Sequence, residues 1–339
     1  MIKVCIILPT YNEEKHIANC LNSILNQDYN LSEVEVLVID GMSTDKTRVI
    51  VNDYVNRFSF IKLLENPLRN VSPGLNLGIK IAQADFILRL DAHAHFPSNY
   101  VSCLVSNSLR LGADNIGGII KTKPANDTSI ANSIAIALSH PFGMGNSYFR
   151  IGTNKIKQVD TVPFGCFRKE IFDKIGLFDI DLIRNQDDEY NGRIIKNGGK
   201  IFIIPDLIIE YYSRESIQKV GKMFYQYGLF KPLVNRKLGQ PATIRQFIPP
   251  AFVLLLFAGS FFSLFCVVFF KIFVFVLVLY FSISFFISFT KIKKKQLEVF
   301  YELPVVFFVI HLSYGLGYFI GIYKFLIKKN AKIQVNATR

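Results

Sequence analysis

The sequence predicts an α/β protein whose mostly parallel sheet carries helices on both faces, followed by apolar helices near its carboxyl-terminal end. Three observations point there. Short β-branched runs alternate with amphipathic stretches from residue 3 to residue 91, the strand-like runs end in polar residues, and from residue 247 to 289 the only charge is Lys271.

The elements follow in order. "KVCIILP" is a short apolar strand. "NEEKHIANCLNSILNQ" has helical spacing, with Ile17, Leu21, Ile24 and Leu25 on one stripe, Asn12 as its N-cap, and Glu13 and Glu14 where the helix dipole favours acids. "VEVLVID" is the second strand; "GMSTDKTRVIVNDYV" supplies a turn, a Ser43/Thr44 cap and a second helix. Strand "IKLLE", helix "SPGLNLGIKIAQA" and strand "DFILRLD" continue the alternation. Ligands of such sheets bind at the carboxyl ends of strands. Neither G-x-G-x-x-G nor a Walker loop follows the first strand, so a bound nucleotide would need side chains and a metal to hold its phosphates.

The chain has 339 residues, half of them apolar, and a formal net charge of +13. About 20 apolar residues cross a bilayer core. "FIPPAFVLLLFAGSFFSLFCVVFF" and "IFVFVLVLYFSISFFISF" fit that length as a hairpin turning near Lys271. A third segment, "LPVVFFVIHLSYGLGYFIGIYKFL", is weakened by His311 and three glycines. The run "KIKKK" at 291–295 places that end of the hairpin, and with it the large amino-terminal part, in the cytoplasm. The basic tail after Lys324 fits this topology only if the third segment is re-entrant or interfacial; otherwise the charge rule fails there. The amino terminus does not read as a signal peptide. Residues 1–210 hold no basic cluster interleaved with aromatics, which argues against nucleic-acid binding. The five cysteines have no metal or redox spacing and read as buried free thiols of a reducing compartment.

Three clusters can carry chemistry. In "DFILRLDAHAHF", a continued strand would put Asp91, His93 and His95 on one face. Asp91 and His93 together offer mixed oxygen and nitrogen donors suited to Mn²⁺ or a tolerant Mg²⁺ site; the plainer reading is a solvated turn, with His95 a partner or a bystander. Asp40 closes a strand before Gly41, either as a turn acid or as a hydrogen-bond acceptor for a nucleotide's base or ribose. In "RNQDDEYNGR", Asn185 can cap a helix whose first turn holds Asp187, Asp188 and Glu189. The dipole alone accounts for such acids, whereas their mutual repulsion would suit one of them as a general base, with Arg193 serving the same pocket. His16 and His140 read as surface or core histidines.

Taken in order, these segments resemble a family 2 glycosyltransferase with the GT-A fold. "ILPTYNEE" resembles that family's opening strand, and "VIDGMSTDKT" its D-D-G-S-x-D-x-T with Ile39 for the first acid. "LRLDAHAHF" stands at its D-x-D, with His93 for the second acid, and "NQDDEYNGR" at its acceptor-side E-D, with Gln186 for the glutamate. D-A-H, "GMGNSYFR", "VDTVPFGCFRKEIFDKIGLFD" and "YYSRESI" resemble the succinoglycan-type exopolysaccharide transferases similar to ExoA. The resemblance implies that Pro9, Thr10, Tyr11, Glu13 and Asp40 hold the nucleoside, most often uridine. It implies that Asp91 and His93 bind a divalent cation, Mn²⁺ or Mg²⁺, that Asp187 is the base, and that Asp188 and Arg193 lie on the acceptor and diphosphate side. "QYGLFK" keeps Gln226 of the processive enzymes' Q-x-x-R-W but has Leu229 and Phe230 for its Arg and Trp, which implies addition of one sugar.

The expected organisation is a GT-A catalytic domain at 1–212, an amphipathic segment at 213–245 read as interfacial or as a packed helix, a membrane region of two to three helices at 246–327, and a basic tail at 328–339. The expected activity is inverting transfer from a nucleotide sugar to a polyprenyl-linked glycan at the inner membrane, for a surface polysaccharide. A metal-dependent phosphoesterase and a non-catalytic sugar-nucleotide-binding protein are the alternatives.

Overall fold

The computed structural model describes residues 2–292 and 297–328. Most of the 291–295 basic run and the tail beyond Lys328 lie outside them, and with them the charge-based topology reading. In chain order the elements are β1 (Val4–Thr10), α1 (Ile17–Leu25), β2 (Val34–Asp40), α2 (Thr47–Arg57), β3 (Ile61–Glu65), α3 (Val71–Ile81), β4 (Phe86–Arg89), β5 (Ala94–His95), α4 (Tyr100–Leu111) and β6 (Asn115–Lys123). Then come α5 (Ser129–Leu138), α6 (Pro141–Met144), α7 (Tyr148–Ile151), β7 (Lys157–Gln158), β8 (Cys166–Arg168), α8 (Glu170–Ile175), α9 (Gln186–Lys196) and β9 (Ile201–Tyr212). Four long helices follow: α10 (Ile217–Leu238), α11 (Ile248–Ser263), α12 (Val267–Lys291) and α13 (Val299–Gly321).

Two compact units result. One comprises the chain up to Lys121 together with Gly152–Tyr211; the other comprises Thr122–Ile151 and the chain from Tyr212 onward.

The first unit is built on a nine-stranded sheet in the order β3-β2-β1-β4-β8-β6-β9-β5, with β7 also on β9. β3, β2, β1 and β4 pair in parallel, as expected. Beyond β4 the pairing turns antiparallel, at β4–β8, β8–β6, β9–β5 and β9–β7. β1 reads as an unbroken apolar run because Val4 to Leu8 are all buried, the signature of a strand covered on both faces.

Two predicted caps differ. Asn12 has φ 54°, outside the extended conformation of an N-cap, and its Oδ1 accepts from the Thr44 amide at 2.8 Å; α1 starts only at Ile17. α2 starts at Thr47, whose amide and hydroxyl donate to Asp45 Oδ1 at 3.0 and 2.6 Å; Lys46 stands at the N-cap position, so neither Ser43 nor Thr44 caps the helix. All five cysteines are free thiols, and Cys5, Cys20 and Cys166 are buried.

Among the described residues of the second unit, three helical stretches are long and apolar enough to cross a membrane: Ile244–Ser263, Val267–Lys291 and Val299–Ile327. α11 and α12 turn Leu254, Phe257, Phe261, Phe275, Phe286 and Phe289 outward, an apolar surface suited to lipid. The chain breaks at Leu264–Cys266, not at Lys271, which lies inside α12. The Ser260 and Ser263 hydroxyls donate back to the Leu256 and Gly259 carbonyls at 2.6 and 2.5 Å, a local competition that weakens the end of α11.

α13 is better covered. Its Leu303, Val306, Phe307 and Ile310 form one buried cluster with Val220, Met223 and Phe224 of α10 and Ile134, Ala137 and Leu138 of α5. The apolar face of α10 is thus turned to protein. The glycines that weaken the third apolar segment on a sequence reading are contact points in the fold. A Cβ on Gly317 would lie 2.2 Å from Tyr225 O, one on Gly321 2.2 Å from Leu229 O, and one on Gly228 of α10 2.0 Å from Tyr314 O. Small residues that let helix backbones touch are the usual packing device where water cannot drive association. His311 faces protein too: its ring nitrogens lie 2.8 Å from Tyr280 Oη and 2.9 Å from Phe142 O.

Candidate active site

β1 and β2 end side by side, with Thr10 opposite Asp40. Pro9 and Tyr11 flank Thr10 and are half-buried; Thr10 and Asp40 are buried. Asp40 Oδ2 accepts from the Ser43 amide at 3.0 Å and lies 3.8 Å from Arg48 Nε. Asp40 Oδ1 and Thr10 Oγ1 are buried with no protein partner, an arrangement that favours a ligand donor at this edge. The loops after the two strands are stitched together. The Asn12 amide donates to Ser43 Oγ at 2.9 Å, the Glu13 amide to Thr47 Oγ1 at 2.7 Å, and the Lys46 amide to Glu14 Oε2 at 3.1 Å.

β4 ends at Arg89, and the chain turns through Asp91 and His93 before β5. The turn, not a continued strand, brings those two side chains together: His93 Nδ1 is 2.9 Å from Asp91 Oδ1. His95 is not part of this. It is exposed on β5, opposite Glu210 of β9. The third member is Glu13, whose Oε1 lies 3.7 Å from His93 Nδ1. The donor atoms of Glu13, Asp91 and His93 all fall within 4.8 Å of one another. The motif reading assigned Glu13 to the nucleoside, and no spacing in the sequence links residue 13 to residues 91 and 93. Burial opposes charge on His93, but Asp91 and Glu13 outweigh it and hold the imidazole well above its ordinary protonation range.

α9 begins where the sequence suggests, although Asn185 stands at φ 61° and makes no side-chain cap. The three acids of its first turn part company. Asp187 Oδ2 accepts from Arg89 Nη1. Glu189 is buried and takes both Nε and Nη2 of Arg193, at 2.6 and 2.9 Å. Arg193 also donates to the Ile175 and Leu177 carbonyls at 2.8 and 2.7 Å and lies over the Tyr190 ring, so it fixes α9 within the first unit. Asp188 is half-buried. Burial pushes the Asp187 carboxyl up; Arg89 draws it down, Asp188 and Asp91 push it up, and the balance lies above the ordinary carboxylate range. Behind the site, Asn191 accepts from Asn115 Nδ2 and donates to Thr161 Oγ1, each at 2.8 Å, pinning α9 from within the core. Sequence reasoning missed Arg89; its signal was a lone charge inside "FILRL".

A strand edge with two buried unpartnered oxygens, an acidic and imidazole cluster, and a carboxylate held by an arginine make up the candidate site. Residues 5–176 match the family described as glycosyl transferase family 2. The chain belongs to that family. The transferase is 30% identical to a protein of Methanococcus voltae described as dolichyl N-acetyl-alpha-D-glucosaminyl phosphate 3-beta-D-2,3-diacetamido-2,3-dideoxy-beta-D-glucuronosyltransferase, over 95% of this chain and 97% of that one. It is 26% identical to the succinoglycan biosynthesis protein ExoA of Rhizobium meliloti, over 73% of this chain and 74% of that one. Among solved structures it resembles the mannosyltransferase PcManGT of Pyrobaculum calidifontis, in complex with GDP-Man and Mn²⁺. The TM-score is 0.60 and the identity 16%, covering 92% of this chain and 87% of that one, a likeness of fold. The GT-A expectation holds, and three apolar helices attach the enzyme to a membrane. Transferases of this family and fold generally depend on a divalent cation, and the Glu13–Asp91–His93 donor set fits one.

Proposed function

We propose that this transferase adds one sugar at a time, with inversion, from a nucleotide sugar to a hydroxyl of a polyprenyl-linked glycan in the synthesis of a surface polysaccharide. The observation that carries the reading is the Arg89–Asp187 pair. It ties a candidate base to the strand that leads, two residues on, into the Glu13–Asp91–His93 cluster. In this scheme Pro9, Thr10, Tyr11 and Asp40 hold the nucleoside, uridine being the base the family uses most, with Asp40 Oδ1 accepting from base or ribose. Glu13, Asp91 and His93 would hold Mn²⁺ or Mg²⁺, whose chemistry there is to offset charge on the departing diphosphate. Asp187 takes the acceptor hydroxyl's proton as that oxygen bonds to the anomeric carbon. The bond from that carbon to the diphosphate oxygen breaks, and its electron pair leaves with the nucleoside diphosphate. Asp188 lies on the acceptor side, whereas Arg193 acts there only through its hold on Glu189 and α9.

Support for a lipid-linked acceptor comes from the three apolar helices and from the dolichyl phosphate named for the Methanococcus voltae relative. We place the first unit on the cytoplasmic side of the inner membrane, where nucleotide sugars are available. The test is nucleoside diphosphate release by detergent-extracted protein. It is run over a panel of UDP-, GDP- and dTDP-sugars, with and without Mn²⁺ or Mg²⁺ and lipid-linked acceptor extract. Metal-dependent, acceptor-stimulated release from one donor, lost in Asp91→Ala and Asp187→Asn, is the expected result. Release indifferent to acceptor and to Asp187 would mean phosphoester hydrolysis instead.

A further inference from the structure

We infer that Arg89 is a positioning residue of the transfer reaction: it holds the Asp187 carboxylate in place as the base and couples it to the strand that delivers Asp91. The inference rests on the reading of Asp187 given above.

Arg89 closes β4, and the strand's other residues, Phe86, Ile87 and Leu88, are apolar and buried. Only 9% of Arg89 is exposed. A guanidinium there costs desolvation that a leucine would not, so its retention needs a return. Its backbone cannot drift, because its amide donates to the Gly165 carbonyl at 3.0 Å. From that fixed point Nη1 reaches Asp187 Oδ2 on α9, 98 residues along the chain, while Nε is buried with no protein acceptor. The guanidinium is therefore not saturated by structural contacts in the way Arg193 is, with partners at Glu189, Ile175 and Leu177.

The charges bearing on Asp187 give the pair its purpose. Arg89 faces it as a cation, while Asp188 on its own helix and Asp91 beyond β4 act as anions. Two neighbouring acids and burial all favour a protonated, useless base, and Arg89 opposes them. The Nη1 donor, anchored on β4, also ties one oxygen of the carboxylate in place.

The experiment uses the full-length protein in detergent, with Arg89→Met, Arg89→Lys and Asp187→Asn. Carbodiimide, which couples to protonated carboxyls, is titrated over pH, and the Asp187 peptide is read by mass spectrometry without any substrate. The pH profile of nucleoside diphosphate release is read beside it, using the panel donor that the wild type turns over. In R89M the half-labelling pH of Asp187 should rise by about one unit or more, the size expected for loss of an adjacent arginine. The acid limb of kcat should move with it and kcat should fall at least about tenfold at neutral pH, while KM for the donor stays within about threefold. R89K should restore most of the pH shift and less of kcat. If R89M fails to fold, Arg89→Gln provides the same neutralisation with a polar side chain. Half-labelling unmoved in a folded neutral variant would overturn the inference, as would a fall in kcat with no shift in pH. Full transfer by D187N would sink the base assignment itself; loss of transfer in D187N with an unmoved R89M profile would remove the Arg89 role alone.

Discussion

The contact between α10 and α13 makes a quantitative claim that can be broken with one methyl group. In Gly317→Ala the new Cβ would sit 2.2 Å from the Tyr225 carbonyl oxygen, and in Gly228→Ala 2.0 Å from that of Tyr314, against an ordinary contact of 3.4 Å or more. The two backbones would have to part by about 1.2–1.4 Å, since neither struck atom is the end of a flexible side chain. A gap near 1 Å already forfeits up to about half of each dispersion well along the seam. Overpacking of this kind costs about 1–3 kcal/mol, and the backbone-to-backbone geometry argues for about 3. At roughly 2–4 °C per kcal/mol for a unit of this size, G317A should melt about 6–12 °C below the wild type. The assay is helical circular dichroism during heating in detergent, which suits a unit that is nearly all helix and a chain without tryptophan. Val305→Ala is the control, because that side chain is 48% exposed on the same helix and should change stability by no more than about 0.5 kcal/mol. Equal melting of G317A and V305A would refute the tight seam and return the third apolar segment to a loosely attached helix.

Three further outcomes are expected. Glu13→Gln should weaken Mn²⁺ binding at least about tenfold, measured by titration calorimetry or manganese paramagnetic resonance; a mutant that loses nucleotide but not metal would return Glu13 to the nucleoside. Cation binding should strengthen as pH rises and release a proton, because the metal-free His93 is held protonated above its ordinary range by Asp91 and Glu13 and must lose that proton to act as a ligand. Calorimetry in buffers of different ionisation enthalpy reads the proton count, and a count of zero near neutral pH would contradict the pairing. Asn191→Ala should cost about 1–3 kcal/mol by leaving Asn115 and Thr161 without their buried partner, seen as a lower unfolding midpoint; an unchanged midpoint would mean that α9 is held by other contacts.

Much of the first unit was readable from local pattern. Strand and helix periods found β1 to β4 and α1 to α3 because each is encoded by the spacing of its own buried residues, as with Ile17, Leu21 and Ile24. The caps were less legible. Asn12 is a good cap residue by composition, but a loop pairing 32 residues away engages it instead, its Oδ1 accepting from the Thr44 amide. Likewise, Asp187, Asp188 and Glu189 look alike in sequence, whereas in the fold Asp187 meets Arg89 and Glu189 meets Arg193.

By itself the sequence determined the α/β alternation, the strand-end placement of Asp40 and Asp91, the apolar helices and the family, because each is written in short-range spacing or in a motif contiguous along the chain. Only the tertiary structure decided that Glu13 joins Asp91 and His93, that Arg89 meets Asp187, that residues 122–151 pack with the carboxyl-terminal helices, and that the glycines of α13 are contacts. The reason is physical. Hydrophobic periodicity specifies which face of an element is buried, but charge pairing and backbone-to-backbone approach depend on which distant element arrives at that face.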